Sequence, residues 1–260
     1  MVIWIVLFLA MVLAAGSALL RWGTRWGSTP DERTRAMSGD DYLEGGPPSR
    51  VAMTRAISID AAAEQVWPWI AQLGRGAGWY SVDWLDNGRR VSALHLVSWI
   101  PEPVPGDATA IGYVRHIDPG QTLAWWVDGV RFFGSQARLV TCIALYPDGQ
   151  GTRLISRMSA DAAGLTAPIA LLAFRFVDSI MAIRQLLGIR DRVEVGEERH
   201  AISRASETGL VDQYQLYEVI YAGGESAGLQ GKEHAARWRE SAIEDGILKA
   251  EEQVTTRETN

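Results

Sequence analysis

VAMTRAISIDAAAEQVWPWIAQLGRGAGWYSVDWLDN, residues 51–87, carries a strand pattern, a helix signal and an aromatic cluster in unbroken succession. Val51, Met53, Ile57 and Ile59 alternate with Ala52, Thr54, Ala56 and Ser58 at the two-residue period of a half-buried strand, and only Arg55 interrupts the apolar face. Asp60 is expected to stop the strand and to cap a helix opening on Ala61, Ala62, Ala63 and Glu64, because its carboxylate can accept from the first free amides. Val66, Trp67, Ile70 and Leu73 supply the buried face of that helix. Pro68 predicts a bend, and Gly74, Gly76 and Gly78 predict a flexible end. This order suggests a strand feeding a helix over a pocket.

Working outward toward the C-terminus, Pro101, Pro103 and Pro105 mark a long loop that no central strand could contain. Strand patterns then recur over residues 110–117, 121–127, 136–146 and 152–160. Turn-forming runs at 118–120 and 147–151 separate them, as in an antiparallel meander. Residues 165–188 follow as a long helix. Its stripe of Leu165, Ile169, Leu172, Phe176, Ile180, Ile183 and Leu187 is expected to face the sheet, with Leu171, Phe174 and Met181 turned away. A helical extension at 193–250, marked by Leu210, Tyr214, Tyr217 and Tyr221 and by the pattern at 235–247, is expected to fold back over that second apolar patch. The charged tail at 251–260 reads as disordered.

The strand RAISID, the helix containing VWPWIAQLG and the following GWYSVDWLDN resemble the START-like superfamily (SRPBCC, helix-grip fold; the polyketide cyclase/dehydrase and lipid-binding group). The resemblance is strongest over residues 54–87 and extends to about Arg192. It implies an α+β fold, a curved antiparallel sheet wrapped on a long C-terminal helix with a hydrophobic cavity between them. It implies no single activity, since the superfamily includes lipid carriers and cyclases. The predicted order of strand, helix, meander and long helix agrees with it from periodicity alone.

In the other direction, MVIWIVLFLAMVLAAGSALL, residues 1–20, holds no charged side chain and would span about 30 Å as a helix, enough for a bilayer's hydrocarbon. No basic residue precedes the run, whereas Arg21 and Arg25 follow it beside Trp22 and Trp26. A retained transmembrane anchor is therefore expected, single-pass in the cell membrane with the bulk of the chain cytoplasmic. A signal cleaved between Ala14 and Ala18 is the alternative. Residues 21–48 read as a juxtamembrane segment: Thr29, Pro30 and Glu32 form a capping box, Gly39 ends a short helix, and Gly45, Gly46, Pro47 and Pro48 make a linker. Residues 49–192 are then the helix-grip domain.

At 260 residues, 47% hydrophobic and 22% charged, the chain can bury one sizeable core. Its net charge of −6 and the lack of a basic stretch argue against nucleic acid. One cysteine, Cys142, excludes an internal disulfide and reads as a small core residue. Gly74, Gly76 and Gly78 follow a helix without a P-loop lysine, so they do not read as a nucleotide loop. His95, His116, His200 and His234 lack zinc spacing, and no GxSxG turn occurs. No cofactor, metal or catalytic constellation is expected.

What remains is the 11-residue tryptophan complement and its aromatic neighbours: Trp79, Tyr80, Trp84, Tyr113, Trp125, Trp126, Phe132 and Phe133 can wall a cavity or pack a core. The expected ligand-binding set is Trp79, Tyr80, Asp83, Trp84, Tyr113, Trp125 and Phe133, with Phe176 and Ile180 from the long helix. The cavity is expected to hold roughly a few hundred Å³. Asp83 could orient a ligand hydroxyl or cap a short helix. Tyr113 and His116 cannot both face inward on a regular strand, which weakens an acid–base site there. The leading expectation is a membrane-anchored protein that binds a hydrophobic small molecule or lipid without chemistry. The rivals are a cyclase/dehydratase-type enzyme using the same cavity and a scaffold acting through its C-terminal helices, where residues 205–250 offer a face for a protein partner.

Overall fold

The computed structural model describes residues 2–94, 96–97, 100–109, 112–132 and 134–194, without the side chains at 2, 5, 6, 9 and 132. Helix α1 covers Val2–Gly23 and α2 covers Pro30–Thr34. Strand β1 (Ser49–Ile59) leads to α3 (Ala63–Ala71) and the single turn α4 (Asp83–Asp86). Strands β2 (Ala108–Thr109), β3 (Gly112–Asp118), β4 (Thr122–Phe132), β5 (Ser135–Asp148) and β6 (Gly151–Ala163) follow, and then α5 (Ala167–Glu194). The expected extension at 193–250, the tail at 251–260 and Phe133 lie outside the described residues, except for the last turn of α5.

Among the described residues the strands form one antiparallel sheet in the order β1-β6-β5-β4-β3-β2. Strands β3 to β6 are the expected meander, and β1 closes it by pairing along its whole length with β6, from Ser49 opposite Ala162 to Ile59 opposite Thr152. Alternation sorts the side chains into two faces. Ile57, Ile59, Leu123, Trp125, Ile143, Leu145 and Leu154 pack inward with α3 and the end of α5. Ala56, Ala124, Cys142, Ala144 and Ile155 pack outward around Met37. Burial raises the Cys142 thiol to about 12, so it stays a protonated core residue. A bulge between Val114 and His116 sets Tyr113 opposite Trp126 and His116 opposite Ala124, which leaves both on the outer face. The acid–base pair considered at the sequence level therefore never meets the interior.

One local expectation changes. Asp60 does not cap α3; Ala62 stands at that position, and the Gln65 side chain reaches back to accept from the Ala62 N–H at 3.2 Å. The juxtamembrane segment packs on the sheet through residues 26–28. Ser28 donates to Thr54 O at 2.8 Å and the Ala56 N–H donates to Trp26 O at 3.1 Å, so this segment covers the open edge of β1. The approach leaves no room for a side chain at Gly27, whose φ is +68° and whose added Cβ would lie 2.0 Å from Ala56 O. The Thr29–Glu32 capping box forms as expected. Glu32 also pairs with Arg153 at 2.7 Å, and Arg157 donates to the carbonyls of Glu32, Arg33 and Arg35 while pairing with Asp40 at 2.6 Å. The arginines of β6 thus bolt the segment to the sheet's outer face.

Helix α5 lies across the concave face, the helix-grip arrangement, but rotated from the expected setting. Its buried side is Ala167, Ala170, Leu171, Asp178, Ser179, Ala182, Leu186 and Ile189. Leu165, Ile169, Leu172, Phe176 and Ile180 face outward. The cause is electrostatic and steric together. Arg55 points into the concave face, and an isolated buried guanidinium is costly. Asp178 answers it at 2.8 Å, which fixes the rotation of the helix, while alanines on the same side permit close approach. Phe174 packs against the sheet, so the patch that the extension was expected to cover is already occupied.

The end of α1 meets α5 where Gly23 abuts Ser179, and Arg55 Nε donates to Gly23 O at 2.8 Å. Farther back Ile3, Trp4, Leu7, Phe8, Met11 and Leu13 are exposed. Side chains of α1 are described without interruption only from position 10, and among the described residues no helix is long and apolar enough to cross a membrane.

Candidate functional site

Between the middle of α5 and the concave face lies a cavity of about 90 Å³. It is smaller than the few hundred Å³ expected from the sequence, because α5 rests so closely on the sheet. Trp79, Trp125, Met158, Met181 and Ala182 form its apolar wall, and Ser81, Asp86, Thr141, Ser156, Asp178 and Gln185 bring polar atoms to it.

The loop after α3 delivers the first wall. Gly74 turns at φ +65°, and a Cβ there would sit 2.2 Å from the Trp79 ring, so glycine is what lets the indole fold back over the loop. Gln185 Nε2 donates to Trp79 O at 3.1 Å and ties the loop to α5. The Trp79 and Trp125 rings meet edge-to-face at 6.1 Å. Trp125 comes from β4, where it is paired with Val114 and Thr141 in the middle of the sheet.

Asp83 and Asp86 divide the labour of α4. Asp83 accepts from the Ser92 N–H at 3.0 Å and from Ser92 Oγ at 2.5 Å, so it holds the loop. That fixes Asp86 one turn on, at the cavity. Burial raises the pKa of Asp86, and the Asp83 charge adds to the effect; the neighbouring Ser81 hydroxyl and the backbone N–H groups of residues 82 and 86 oppose it. Ser81, Asp86 and Trp125 all line the same cavity; the Ser81 hydroxyl favours the Asp86 carboxylate, and the Trp125 indole N–H is buried without a hydrogen-bond partner.

Asp178 differs. Burial raises its pKa and Arg55 opposes the rise; the guanidinium pairs through Nη1 with Asp178 at 2.8 Å and donates from Nε to Gly23 O at 2.8 Å and from Nη2 to Ser179 Oγ at 3.3 Å.

Of the residues singled out from sequence, Trp79 and Trp125 line the cavity. Tyr80 is buried beside it, edge-to-face with Trp69 at 5.8 Å and beneath the Arg192 guanidinium at 4.5 Å. Asp83 braces the loop. Trp84 is 68% exposed, and Phe176 and Ile180, at 55% and 51%, point away on the outer side of α5. Tyr113 is on the outer face, and Phe133 lies outside the described residues. Sequence reasoning missed Ser81, Asp86, Met158, Asp178, Met181 and Gln185. One signal was present: Arg55 on an apolar strand face requires an acid, and Asp178 is the only one among residues 165–190.

No family model matches the chain, and no curated protein matches it. Solved structures similar to it include protein MLL2253 from Mesorhizobium loti, at 15% identity and TM-score 0.35 over 56% of this chain and 99% of that one. Another is the di-domain ARO/CYC BexL from the BE-7585A biosynthetic pathway, at 16% identity and TM-score 0.37 over 59% of this chain and 53% of that one. A third is Ara h 8.0201, at 13% identity and TM-score 0.35 over 56% of this chain and 99% of that one. The element order and the six-stranded antiparallel sheet gripping a long C-terminal helix make the fold START-like.

Proposed function

We propose that this protein binds a hydrophobic small molecule, or the end of a lipid, in the cavity beneath α5 and performs no chemistry on it. The observation that carries the reading is the meeting of two indole rings and two methionines with a few polar side chains, Ser81, Asp86 and Gln185 among them, around one cavity. An apolar wall with a few convergent polar groups is how small-molecule sites are commonly built. The test is native mass spectrometry of the full-length protein extracted in detergent, with tryptophan fluorescence during titration with apolar probes. A co-purifying small molecule, or saturable quenching that Ala182→Leu abolishes by filling the space, supports it. An empty protein that responds to no probe class overturns it.

A second reading, a cyclase- or dehydratase-type enzyme, is favoured by one observation: Asp86 presents a partly desolvated carboxylate to the cavity. Recovery of a bound molecule chemically changed by the wild type but not by Asp86→Asn would install that reading in place of the first.

The site is proposed to work at the cell membrane, with residues 1–20 as a single-pass anchor and the bulk of the chain cytoplasmic. The uncharged run, the arginines at 21 and 25 and the exposed apolar side chains at Ile3, Trp4, Leu7 and Phe8 support this. Carbonate extraction tests it: retention in the pellet is expected, and release, or a mature N-terminus near Ala18, overturns it.

A further inference from the structure

We infer that the outer face of α5 rests on an anionic lipid surface, so that the domain is seated on the bilayer beside its N-terminal helix. The inference rests on the reading of residues 1–20 as a membrane anchor and adds a second, interfacial contact, made by the helix that roofs the cavity.

The rotation of α5 leaves a bare apolar face. Leu165, Ile169, Leu172, Phe176 and Ile180 are all exposed, with Val177 beside them. Spaced by threes and fours, they share one side of the helix, and Ile169 to Ile180 alone covers about 16 Å of its length. A stripe of this size marks a binding surface rather than scattered exposure. It is one-sided, because Asp178 and Ser179 are buried on the side toward Arg55, so α5 can lie on a bilayer but not span it.

The position of α1 names the occupant. Gly23 abuts Ser179, which follows Phe176 by three residues and therefore sits about 60° around the helix from it. Arg55 fixes this corner by holding Gly23 O and Asp178 together. Beyond the corner the two helices do not cover one another, since Leu13 and Leu19 on α1 are exposed, as are Ile169 and Leu172 on α5. A bilayer that receives α1 therefore meets the α5 stripe next to it.

Charge selects the kind of lipid. Arg21 and Arg25 are exposed at the end of α1, and Arg175 and Arg184 border the stripe on its two sides. The acids of α5 are elsewhere: Asp178 is buried against Arg55, and Asp191 and Glu194 stand in its last turns. An apolar stripe bordered by arginines suits the boundary between head groups and acyl chains in an anionic leaflet. The reverse side of α5 brings Asp178, Met181 and Ala182 to the cavity, so this seating sets the cavity one helix diameter, about 10 Å, from the lipid.

The experiment uses the full-length protein in vesicles of phosphatidylcholine and phosphatidylglycerol. Cys142, the single cysteine of the chain, is buried, so a cysteine introduced at an exposed position takes an environment-sensitive fluorophore selectively. The labelled variants are Leu172→Cys and Phe176→Cys on the stripe, Val12→Cys within α1, and Gln150→Cys in the turn before β6, at the other end of that strand from the start of α5. Circular dichroism checks each fold. Lipids brominated high or low on the acyl chains then quench according to depth. Both α5 labels should be quenched about twofold more by high bromines than by low ones, as for side chains seated about 5–10 Å into the boundary. Val12→Cys should be quenched more by low bromines, and Gln150→Cys by neither. Pure phosphatidylcholine should cut the α5 quenching about twofold and leave that at Val12→Cys unchanged.

Quenching at Val12→Cys with none at the α5 labels overturns the inference and leaves the anchor standing. Quenching at the α5 labels with none at Val12→Cys upholds the lipid contact and overturns the anchor. Blue-shifted α5 labels that neither lipid quenches overturn the inference in favour of a protein occupant, residues 195–260 or a second copy of the chain. Equal α5 quenching in pure phosphatidylcholine overturns the choice of an anionic surface.

Discussion

Arg55 and Asp178 meet at 2.8 Å beneath α5, with the arginine side chain fully buried. The same guanidinium holds the last carbonyl of α1 at Gly23 and the hydroxyl of Ser179, so strand β1, the N-terminal helix and the gripping helix converge on one cation. Removing only the acid strands that cation in the interior. Asp178→Leu is therefore expected to cost about 3–5 kcal/mol, and Arg55→Met in the same chain should recover most of the loss, because an apolar pair replaces a buried ion pair at little cost. Denaturant melts of the two single variants and the double variant check this; a double variant no more stable than Asp178→Leu refutes the account.

Glu32→Gln isolates a second ion pair. Glutamine keeps the capping box with Thr29 but gives up the charge that meets Arg153 at 2.7 Å, for an expected loss of about 1–3 kcal/mol at neutral pH. The hydrogen bond from Arg153, against a smaller opposing effect of burial, lowers the pKa of Glu32. A carboxylate whose folded pKa lies below its unfolded one contributes fully above about pH 5 and loses that contribution as the pH falls through the folded value. Urea midpoints of wild type and Glu32→Gln should thus differ by a constant amount above about pH 5 and converge below it. A gap that widens in acid would show that the ion pair is not its source.

Gly74→Ala places a methyl group 2.2 Å from the Trp79 ring at a φ of +65°, where an L side chain is also strained. A loss of about 1–3 kcal/mol is expected. Trp79 lines the cavity, so the variant should also shift the tryptophan emission maximum. An unshifted spectrum at wild-type stability would place Trp79 elsewhere.

The rotation of α5 reverses the ranking that its sequence pattern gives two substitutions, since the expected sheet-facing stripe holds Phe176 and omits Leu186. Leu186 is buried and Phe176 is more than half exposed. Leu186→Ala should cost about 2–5 kcal/mol, and Phe176→Ser less than about 1 kcal/mol. Thermal melts of the full chain decide it, and the reverse ranking would restore the orientation read from the helical stripe.

The sheet was legible in advance because residues 51–59 alternate apart from Arg55 and the turn-forming runs at 118–120 and 147–151 bound the β-rich stretches of the meander, whose ends pairing then adjusted. The setting of α5 was not. A helical wheel assumes that the large apolar residues face inward, whereas here Ala167, Ala170 and Ala182 do, and Asp178 with them. Arg55 was visible as an anomaly, yet naming its partner required knowing which helix crosses β1. Ser81 and Asp86 were hidden for another reason: they sit in a loop whose course depends on a left-handed Tyr80 at φ 57° and on the brace from Asp83 to Ser92. No periodicity reports such a path.

In its first turns α5 is seated alanine on alanine, with Ala167 against Ala137, Ala160 and Ala162. Alanine has no rotamer to swing, so that end of the helix cannot part from the sheet without moving backbone. At the far end Leu186 and Ile189 are locked into the main core. The Trp79–Asp86 loop is the wall of the cavity that belongs neither to α5 nor to the sheet, and the clearance beneath the start of α5 is set by the thickness of a methyl group.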